Sequence, residues 1–248
     1  MKDFARPLRG IVLDVDGTLL NLAQPLGASY SAILDALGIS ADVISLNVAT
    51  KKVWLSFQGE YLNESAAFAT THEREEQVWK EYVRRVLREA GVPIVGEHLE
   101  QAVAAVYEAF SRGSSRRVAS GAVEFLHAMQ QSELPVVAAT NNDRRVELVL
   151  EELGLTGYFD EIVTSGHLGW KKPSPYFFAG ISNLLEIPAG ELLHIGNDLE
   201  LDVRAAQRAG FQGQFFGSSQ DGESAIENFD ALRLSVMQLV DAPRVGRE

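Results

Sequence analysis

The stretch VLDVDGTLL (residues 12–20) decides the fold, because an apolar run ends there on two aspartates that precede a glycine and a threonine. Residues two apart in a β-strand face the same side, so Asp14 and Asp16 would place their carboxylates together at one edge of a sheet. Two like charges are unfavourable there unless they bind a cation, one of them has a shifted pKa, or they act on an anionic reaction partner. The stretch therefore predicts a buried strand that leads directly into a functional site.

Composition restricts the kinds of protein that this chain can be. Its 248 residues are 46% hydrophobic, which suits one large domain or a domain with a sizeable insertion. The formal net charge of −12 argues against a nucleic-acid partner, since an acidic surface repels phosphate backbones. The lack of cysteine excludes disulfides and thiolate chemistry. No apolar run approaches the ~20 residues of a membrane span, so we expect a cytoplasmic protein without membrane contact.

Helical and strand patterns alternate from about residue 118 onward. Alternation of this kind is typical of a parallel, doubly wound sheet with helices on both faces. The fold class is therefore predicted as α/β, with a core domain formed by residues 1–20 and 116–248. The predicted strands are 10–14, 134–140, 161–165, 191–196 and 212–217, and an amphipathic helix is predicted at 199–210.

Residues 21–115 break this alternation. They show helical spacing throughout and contain no strand pattern of comparable strength. We therefore predict a helical domain inserted between the first strand and the rest of the sheet. Gly27 and Gly113 lie near its two joints, where they suit hinges or simple turns.

Polar side chains follow each of the first four predicted core strands. Ligands of open α/β sheets bind beyond the carboxyl ends of the strands, where the strand order reverses. Carboxylate oxygens suit Mg²⁺, while a lysine ammonium and a threonine hydroxyl can bind phosphoryl oxygens. The pattern therefore predicts a phosphoryl-transfer site. Its residues are Asp14 and Asp16, then Thr140 and Asn141, then Lys171 and Lys172, then Asn197, Asp198 and Asp202.

Each of these groups alone has a simpler structural explanation. The D-x-D-G segment can be an acidic turn, Thr140 a helix cap, and the two lysines a solvated loop. Asp198 can cap the following helix, with Asp202 in its first turn. A functional site is the better explanation, because all four groups occur in order and each follows its own strand.

The segments DVDGTL, AATN, KKP and GNDLELD resemble the four motifs of the haloacid dehalogenase (HAD) superfamily. The resemblance covers the whole chain, because residues 21–115 lie where that family inserts a helical cap domain. This placement is similar to that of phosphoglycolate phosphatases, β-phosphoglucomutases and 2-haloacid dehalogenases. The resemblance implies a Rossmann-like core with a cap, in a superfamily whose members are mostly Mg²⁺-dependent phosphatases.

The resemblance also implies catalytic roles for three residues. Asp14 would be the nucleophile that forms an aspartyl-phosphate. Asp16 would protonate the leaving oxygen and then take a proton from water, while its main-chain carbonyl ligates Mg²⁺ beside the Asp14 side chain. Lys172, which directly precedes the proline as in the family pattern, would stabilise the phosphoryl charge.

The remaining positions of the first two motifs are expected to bind the substrate. Thr140, counted here as catalytic, would hold the phosphoryl group together with Asn141. Gly17 permits the sharp turn that the first motif needs. Gly17, Thr18 and Asn141 are therefore the expected substrate-binding residues.

The fourth motif departs from the family pattern. Asn197 occupies a position where the family usually has a metal-binding aspartate, and an amide oxygen supplies less charge to the ion. The adjacent Asp198 could take its place, although successive residues normally point in different directions. Asp202 matches the second acidic position and is expected to orient Lys172.

We expect a Mg²⁺-dependent phosphatase that acts on a small phosphorylated metabolite, as a monomer or homodimer. A phosphomutase would use the same residues, and Asn197 also allows a catalytically impaired binding protein on the same fold. Metal-free 2-haloacid dehalogenases are disfavoured, because they lack the second aspartate of the first motif, which is Asp16 in this chain.

The cap is expected to close over the site and to select the substrate. Trp79 and Tyr82 lie at helical spacing, which favours helix packing over substrate contact, while Arg84 and Arg85 suit a solvated surface. His194, inside an apolar strand, is expected to be a core histidine with satisfied hydrogen bonds. The candidate substrate contacts of the cap are Tyr30, Trp54, Arg74, Trp79, Tyr82, Arg84 and Arg85.

Overall fold

The computed structural model of the protein describes residues 8–63, 68–218 and 224–240. The outer ends of the predicted core, residues 1–7 and 241–248, lie outside the described residues. The strands are β1 (Gly10–Leu13), β2 (Leu20–Leu22), β3 (Arg116–Val118), β4 (Val136–Thr140), β5 (Glu161–Thr164), β6 (Leu192–Gly196), β7 (Gln212–Phe216) and β8 (Ala225–Ile226). The α-helices are α1 (Leu26–Ala36), α2 (Val43–Asn63), α3 (His72–Glu89), α4 (Gly96–Ala109), α5 (Ala122–Gln131), α6 (Arg145–Glu152), α7 (Ser165–Leu168), α8 (Pro175–Leu185), α9 (Ala205–Arg208) and α10 (Phe229–Val240).

Six strands form a parallel sheet in the order β5-β4-β1-β6-β7-β8, which confirms the predicted α/β fold. Strand β1 lies between β4 and β6, with Leu13 level with Ala138 on one side and Ile195 on the other. The chain adds β4 and β5 on one side of β1 and then returns to add β6, β7 and β8 on the other. The strand order therefore reverses next to β1, and the carboxyl end of β1 lies where ligands bind in such sheets.

The sheet is buried on both faces, as its apolar strands require. Ile11 and Leu13 pack into one hydrophobic cluster, with Phe125 of α5, while Val12 between them packs into a second cluster with Phe178 of α8. Side chains alternate across a strand, so both clusters draw on the same short segment. Helices therefore cover both faces, and this rigid sheet fixes the positions of the residues that follow its strands.

The segment after β6 is helical but not regular throughout. The sequence predicts an amphipathic helix at 199–210, and within it Leu199–Arg204 forms a widened, π-helical turn before α9 begins. The Val203 amide bonds to the Asp198 carbonyl, five residues back. The predicted helix is therefore present, but its first six residues are wound more widely than an α-helix, and such turns are common at functional sites.

Four helices, α1 to α4, pack around a hydrophobic cluster of their own, which contains Leu34, Leu46, Val86 and Val103. The two chain crossings between this bundle and the sheet pair with each other, because β2 and β3 form an antiparallel ribbon from Leu20–Val118 to Leu22–Arg116. The predicted domain boundaries at residues 20/21 and 115/116 lie at this ribbon.

Among the helices in the described ranges, none combines the length and the apolar character needed to cross a membrane.

Candidate active site

Asp14 follows β1 directly and is 5% exposed. Its Oδ1 accepts a hydrogen bond from Lys172 Nζ at 2.7 Å, and its Oδ2 accepts one from the Thr18 hydroxyl at 3.0 Å. Burial raises the pKa of the Asp14 carboxyl to about 7, because Lys172 offsets only part of this effect and Asp202 and Asp16 add to it. A cation bound at this carboxylate would favour its ionised form.

Lys172 is held between two buried carboxylates. Its Nζ donates to Asp14 at 2.7 Å and to Asp202 Oδ1 at 2.6 Å. Burial alone would lower the pKa of Lys172, but the two carboxylates raise it, so the ammonium stays charged. Burial likewise works against ionisation of Asp202, yet Lys172 and His194 lower the pKa of Asp202. Asp202 thus lies where it can orient Lys172, as the sequence predicts.

Gly17 makes room for Asn197 next to Asp14. Its φ is +87°, a conformation that favours glycine, and a Cβ there would lie 2.2 Å from Asn197 Nδ2. The Asn197 Oδ1 lies 3.4 Å from the Thr18 hydroxyl, which also binds Asp14. Thr18 therefore brings the amide of Asn197 and the carboxylate of Asp14 to the same place.

Asp198 is occupied at the start of the widened turn. Its Oδ1 accepts from the amides of Glu200 at 2.9 Å and Leu201 at 2.8 Å, which is the geometry of a helix cap. Its own amide donates to Asp202 Oδ2 at 3.0 Å. A Cβ at Gly196 would lie 2.2 Å from the Asp202 carboxyl carbon, so the glycine lets Asp202 reach the sheet edge.

Two residues that the sequence did not single out hold Asp16. Asn142 Nδ2 donates to Asp16 Oδ2 at 2.8 Å, and Arg116 Nε donates to Asp16 Oδ1 at 3.2 Å. Asn142 directly follows the second motif, and Arg116 begins β3 at the predicted domain boundary. No other feature of the sequence points to these two residues. Both carboxylate oxygens of Asp16 are thus fixed at the edge of the cavity described below.

Thr140 and Asn141 end β4 with different contacts. The Thr140 Oγ1 accepts from the Asn142 amide at 3.0 Å, which leaves its hydroxyl hydrogen for another acceptor. The Asn141 amide group instead pairs twice with the main chain of Lys172, at 2.9 Å to its carbonyl and 2.7 Å from its N–H. The Asn141 side chain therefore fixes the loop that carries Lys172.

His194 lies in β6, fully buried behind Asp202. Its Nε2 is 3.1 Å from Asp202 Oδ1, and burial lowers the pKa of the imidazole, which is therefore neutral. In the described part of the chain, Nδ1 has no hydrogen-bond partner. The expectation of a satisfied core histidine holds for one ring nitrogen only.

The oxygen atoms around Asp14 fit a hard divalent cation. The Asp14 carboxylate and the Asn197 amide oxygen lie together, and the main chain of Asp16 is two residues further on. Over the ranges that the structure describes, no cluster of three His, Cys, Asp or Glu residues could hold a metal. An ion here would depend on one carboxylate, one amide and main-chain or substrate oxygens, a set that suits Mg²⁺ better than zinc.

A cavity of about 740 Å³ separates this edge of the sheet from the helical bundle. Its volume is in the range of small-molecule sites. Asp14, Asp16, Thr140 and Lys172 line the core side. Of the predicted cap contacts, the cavity is lined by Tyr30, Trp54, Trp79 and Tyr82.

The charged candidates of the cap lie elsewhere. Arg84 pairs with Glu81 and Glu100, and Arg85 with Glu81 and Glu60, so both belong to surface ion-pair networks. Neither they nor Arg74 belong to the lining of the cavity that the described residues form. Lining residues that the sequence reasoning missed include Lys51, Gln58, Tyr61, Tyr107, Phe110, Arg116, Asn142 and Arg145. Apart from Arg116 and Asn142, their positions depend on helix packing, for which the motifs give no signal.

A parallel sheet with a buried aspartate after β1, an ion-paired lysine after β5 and a helical bundle over the site defines a capped Rossmann-like α/β protein. The chain belongs to the haloacid dehalogenase-like hydrolase family, which it matches over residues 8–210. This match confirms the membership that the four motifs predict.

Similar proteins agree with this assignment. The chain is 28% identical to the haloacid dehalogenase-like hydrolase domain-containing protein 3 of Bos taurus over 225 residues, or 89% of this chain and 86% of that protein. A ribulose-1,5-bisphosphate 5-phosphatase of Halopiger xanaduensis is 33% identical over 110 residues, or 44% of this chain and 46% of that protein. The solved structure of the HAD-hydrolase YfnB of Bacillus subtilis, bound to magnesium, is 19% identical, with a TM-score of 0.75 over 94% of this chain and all of YfnB.

Proposed function

We propose that the protein is a Mg²⁺-dependent phosphatase that hydrolyses a small phosphomonoester through an aspartyl-phosphate on Asp14. The observation that carries the proposal is the geometry at the end of β1. A buried carboxylate there is paired with Lys172 at 2.7 Å, and Asp16 faces the same cavity. Phosphatase relatives within the family support the same reaction class.

In the first step, the Asp14 carboxylate attacks phosphorus and the bond from phosphorus to the leaving oxygen breaks. Asp16 gives its proton to that oxygen, which leaves as an alcohol. Lys172 and the free hydroxyl hydrogen of Thr140 stabilise the negative charge on the transferring phosphoryl oxygens. A protonated Asp16 oxygen accepts less strongly than a carboxylate oxygen, so its contact with Arg116 or Asn142 weakens when Asp16 carries the proton.

In the second step, water attacks the phosphorus of the aspartyl-phosphate. Asp16 takes a proton from that water, the bond between phosphorus and Asp14 breaks, and inorganic phosphate leaves. Arg116 and Asn142 hold the Asp16 carboxylate in place for this proton transfer. Asp14 is again a carboxylate and Asp16 is again protonated, so the cycle is closed.

The residues that would hold Mg²⁺ are Asp14, the main-chain carbonyl of Asp16 and Asn197. A bound Mg²⁺ would neutralise phosphoryl charge and favour ionised Asp14. The helix-cap contacts of Asp198 support Asn197 rather than Asp198 as the ligand from the fourth motif.

The test is phosphate release from acetyl phosphate and p-nitrophenyl phosphate, with Mg²⁺ and with EDTA, by the wild type and the Asp14→Asn and Asp35→Asn variants. Asp35 is an exposed carboxylate of α1 and serves as the matched control. We expect release that needs both Mg²⁺ and Asp14, because an amide cannot act as the nucleophile. Release that persists in Asp14→Asn or in EDTA would contradict the proposal.

A further inference from the structure

The two sides of the cavity differ in chemistry. The core side carries the carboxylates, the lysine and the threonine described above. The bundle side is dominated by aromatic rings, among them Trp54, Tyr61, Trp79, Tyr82 and Phe110. Small-molecule sites commonly combine an apolar wall with a few polar groups that fix orientation. The core side would receive the phosphoryl group, and the aromatic side is left for the rest of the substrate.

Trp54 of α2 is the centre of this aromatic side. Its ring is parallel to that of Trp79, at 9° with centroids 6.2 Å apart, and Tyr82 meets it edge-on with centroids 5.9 Å apart. Despite these contacts, 37% of Trp54 remains exposed, and the residue lines the cavity. The indole is thus held in place by its neighbours while part of its surface is left for a ligand.

The arginines that line the cavity are already ion-paired. Arg116 contacts Asp16 at 3.2 Å, and Arg145 contacts Asp143 at 2.8 Å while its guanidinium lies 3.7 Å from the centre of the Tyr107 ring. A second acidic group on the substrate would compete with these carboxylates. A polyhydroxylated leaving group needs a hydrogen-bond partner for each buried hydroxyl, whereas the bundle side offers mainly aromatic rings and few polar side chains such as Lys51 and Gln58.

We propose that the leaving group of the substrate is a planar aromatic or heteroaromatic ring that lies against Trp54, with its polar edge toward Lys51 and Gln58. Both of these polar residues lie on α2 with Trp54 and line the cavity. The proposal rests on the phosphatase function proposed above and narrows its substrate class. Stacking on an aromatic side chain tolerates many ring types, so the class is defined by planarity rather than by one compound.

The test compares 2-naphthylmethyl phosphate with glucose 6-phosphate, since both release a primary alcohol and differ in the ring. Trp54→Ala and Trp54→Leu remove the indole, and Leu55→Ala is the matched control because Leu55 is its neighbour, is 79% exposed and is outside the cavity lining of the described residues. In the wild type, kcat/KM should favour the naphthyl substrate. The ratio of the two kcat/KM values should fall roughly 10- to 100-fold in both Trp54 variants and stay unchanged in Leu55→Ala.

The proposal of an aromatic leaving group would be overturned if the ratio were unchanged in Trp54→Leu, or if the wild type preferred glucose 6-phosphate. Hydrolysis of acetyl phosphate would still support the phosphatase function in either case. If acetyl phosphate is not hydrolysed either, the phosphatase proposal fails. The ring site is then decided by calorimetric titration of 2-naphthylmethyl phosphonate, which cannot be hydrolysed. Binding that weakens in Trp54→Leu but not in Leu55→Ala supports the ring site, and equal binding by both overturns it.

Discussion

Lys171 and Lys172 are adjacent and both buried, yet they serve two different regions of the molecule. Lys172 extends to the sheet edge and pairs with Asp14 and Asp202. Lys171 extends to the helical bundle, where its Nζ donates to the Tyr61 carbonyl at 2.6 Å and lies 3.6 Å from the centre of the Tyr61 ring. Lys172 is ion-paired directly with two carboxylates, whereas Lys171 contacts a main-chain carbonyl and an aromatic face and has buried Glu75 in its electrostatic surroundings.

The Lys171 region joins the core to the bundle. The Thr70 amide donates to the Gly169 carbonyl at 2.9 Å, and the Lys171 amide donates to the Phe68 carbonyl at 3.0 Å. The segment before α3 is thus paired to the loop after α7 by main-chain hydrogen bonds. Lys171 is as buried as Lys172 but lies outside the cavity lining of the described residues, so burial of a charged residue does not by itself indicate a place in the candidate site.

Buried Glu75 completes the Lys171 region. It accepts hydrogen bonds from the Tyr61 hydroxyl at 2.8 Å and the Thr70 hydroxyl at 2.5 Å. Burial raises the pKa of Glu75, although these two hydrogen bonds and Lys171 oppose the effect. This carboxylate, unlike Asp14, lies outside the cavity lining that the described residues provide.

Of the two lysines, Lys172 should show the larger effect when it is replaced by methionine. Loss of the ammonium removes stabilisation of the transferring charge, so phosphate release should fall by about 10²-fold or more. It also leaves Asp14 and Asp202 buried without their shared cation, which should cost about 3–5 kcal/mol of the free energy of unfolding. Steady-state kinetics and urea unfolding measure the two effects. Near-normal turnover would remove Lys172 from the chemistry.

Lys171→Met should have a smaller effect on turnover and a different one on dynamics. Acetyl phosphate hydrolysis should stay within about tenfold of the wild type, because the phosphoryl site keeps its own charges. Hydrogen exchange at the amides of Thr70 and Lys171 should become faster, since the contact between core and bundle loses a member. Exchange measured by mass spectrometry reports this change. Equal losses of turnover in the two lysine variants would erase the distinction between the two regions.

The smallest effect should be the contribution of His194 to the pH dependence of the free energy of unfolding. Burial lowers the pKa of His194, so below about pH 6.5 the unfolded chain takes up a proton that the folded chain resists. The free energy of unfolding should therefore fall with decreasing pH by up to ~1.4 kcal/mol per pH unit from this group. His194→Gln lacks this contribution, so the two proteins should converge as the pH falls from 7.5 to 5. Parallel curves in urea unfolding would contradict the assignment.

The sequence predicts which residues of the candidate core site lie together, because they follow apolar strands. A parallel sheet brings the ends of β1, β4 and β6 to one edge, so Asp14, Thr140 and Asn197 meet without further information. The resemblance to the family pattern, in which the lysine directly precedes the proline, favoured Lys172 over Lys171. The contacts of Asp16 were not predictable, because Arg116 approaches it through the pairing of β2 with β3, and register between distant segments leaves no local pattern.

The bundle side could be predicted only as a set of candidates. Trp79 and Tyr82 have the spacing of core residues, and in the structure they both pack in the bundle and line the cavity. Helix periodicity shows which side chains share a face but not which part of that face another domain leaves open. Tyr61 was missed for the same reason.

The pairing of β2 with β3 links the two segments through which the chain passes between the sheet and the helical bundle, so these segments can move only together. Arg116 is paired with Leu22 in this ribbon, and the same residue contacts Asp16 and lies 5.4 Å from the ring of Phe110 just after α4. A rotation of the bundle about this ribbon cannot leave the surroundings of Asp16 unchanged while these contacts persist. The position of the bundle is therefore coupled to the surroundings of Asp16, the proposed proton carrier.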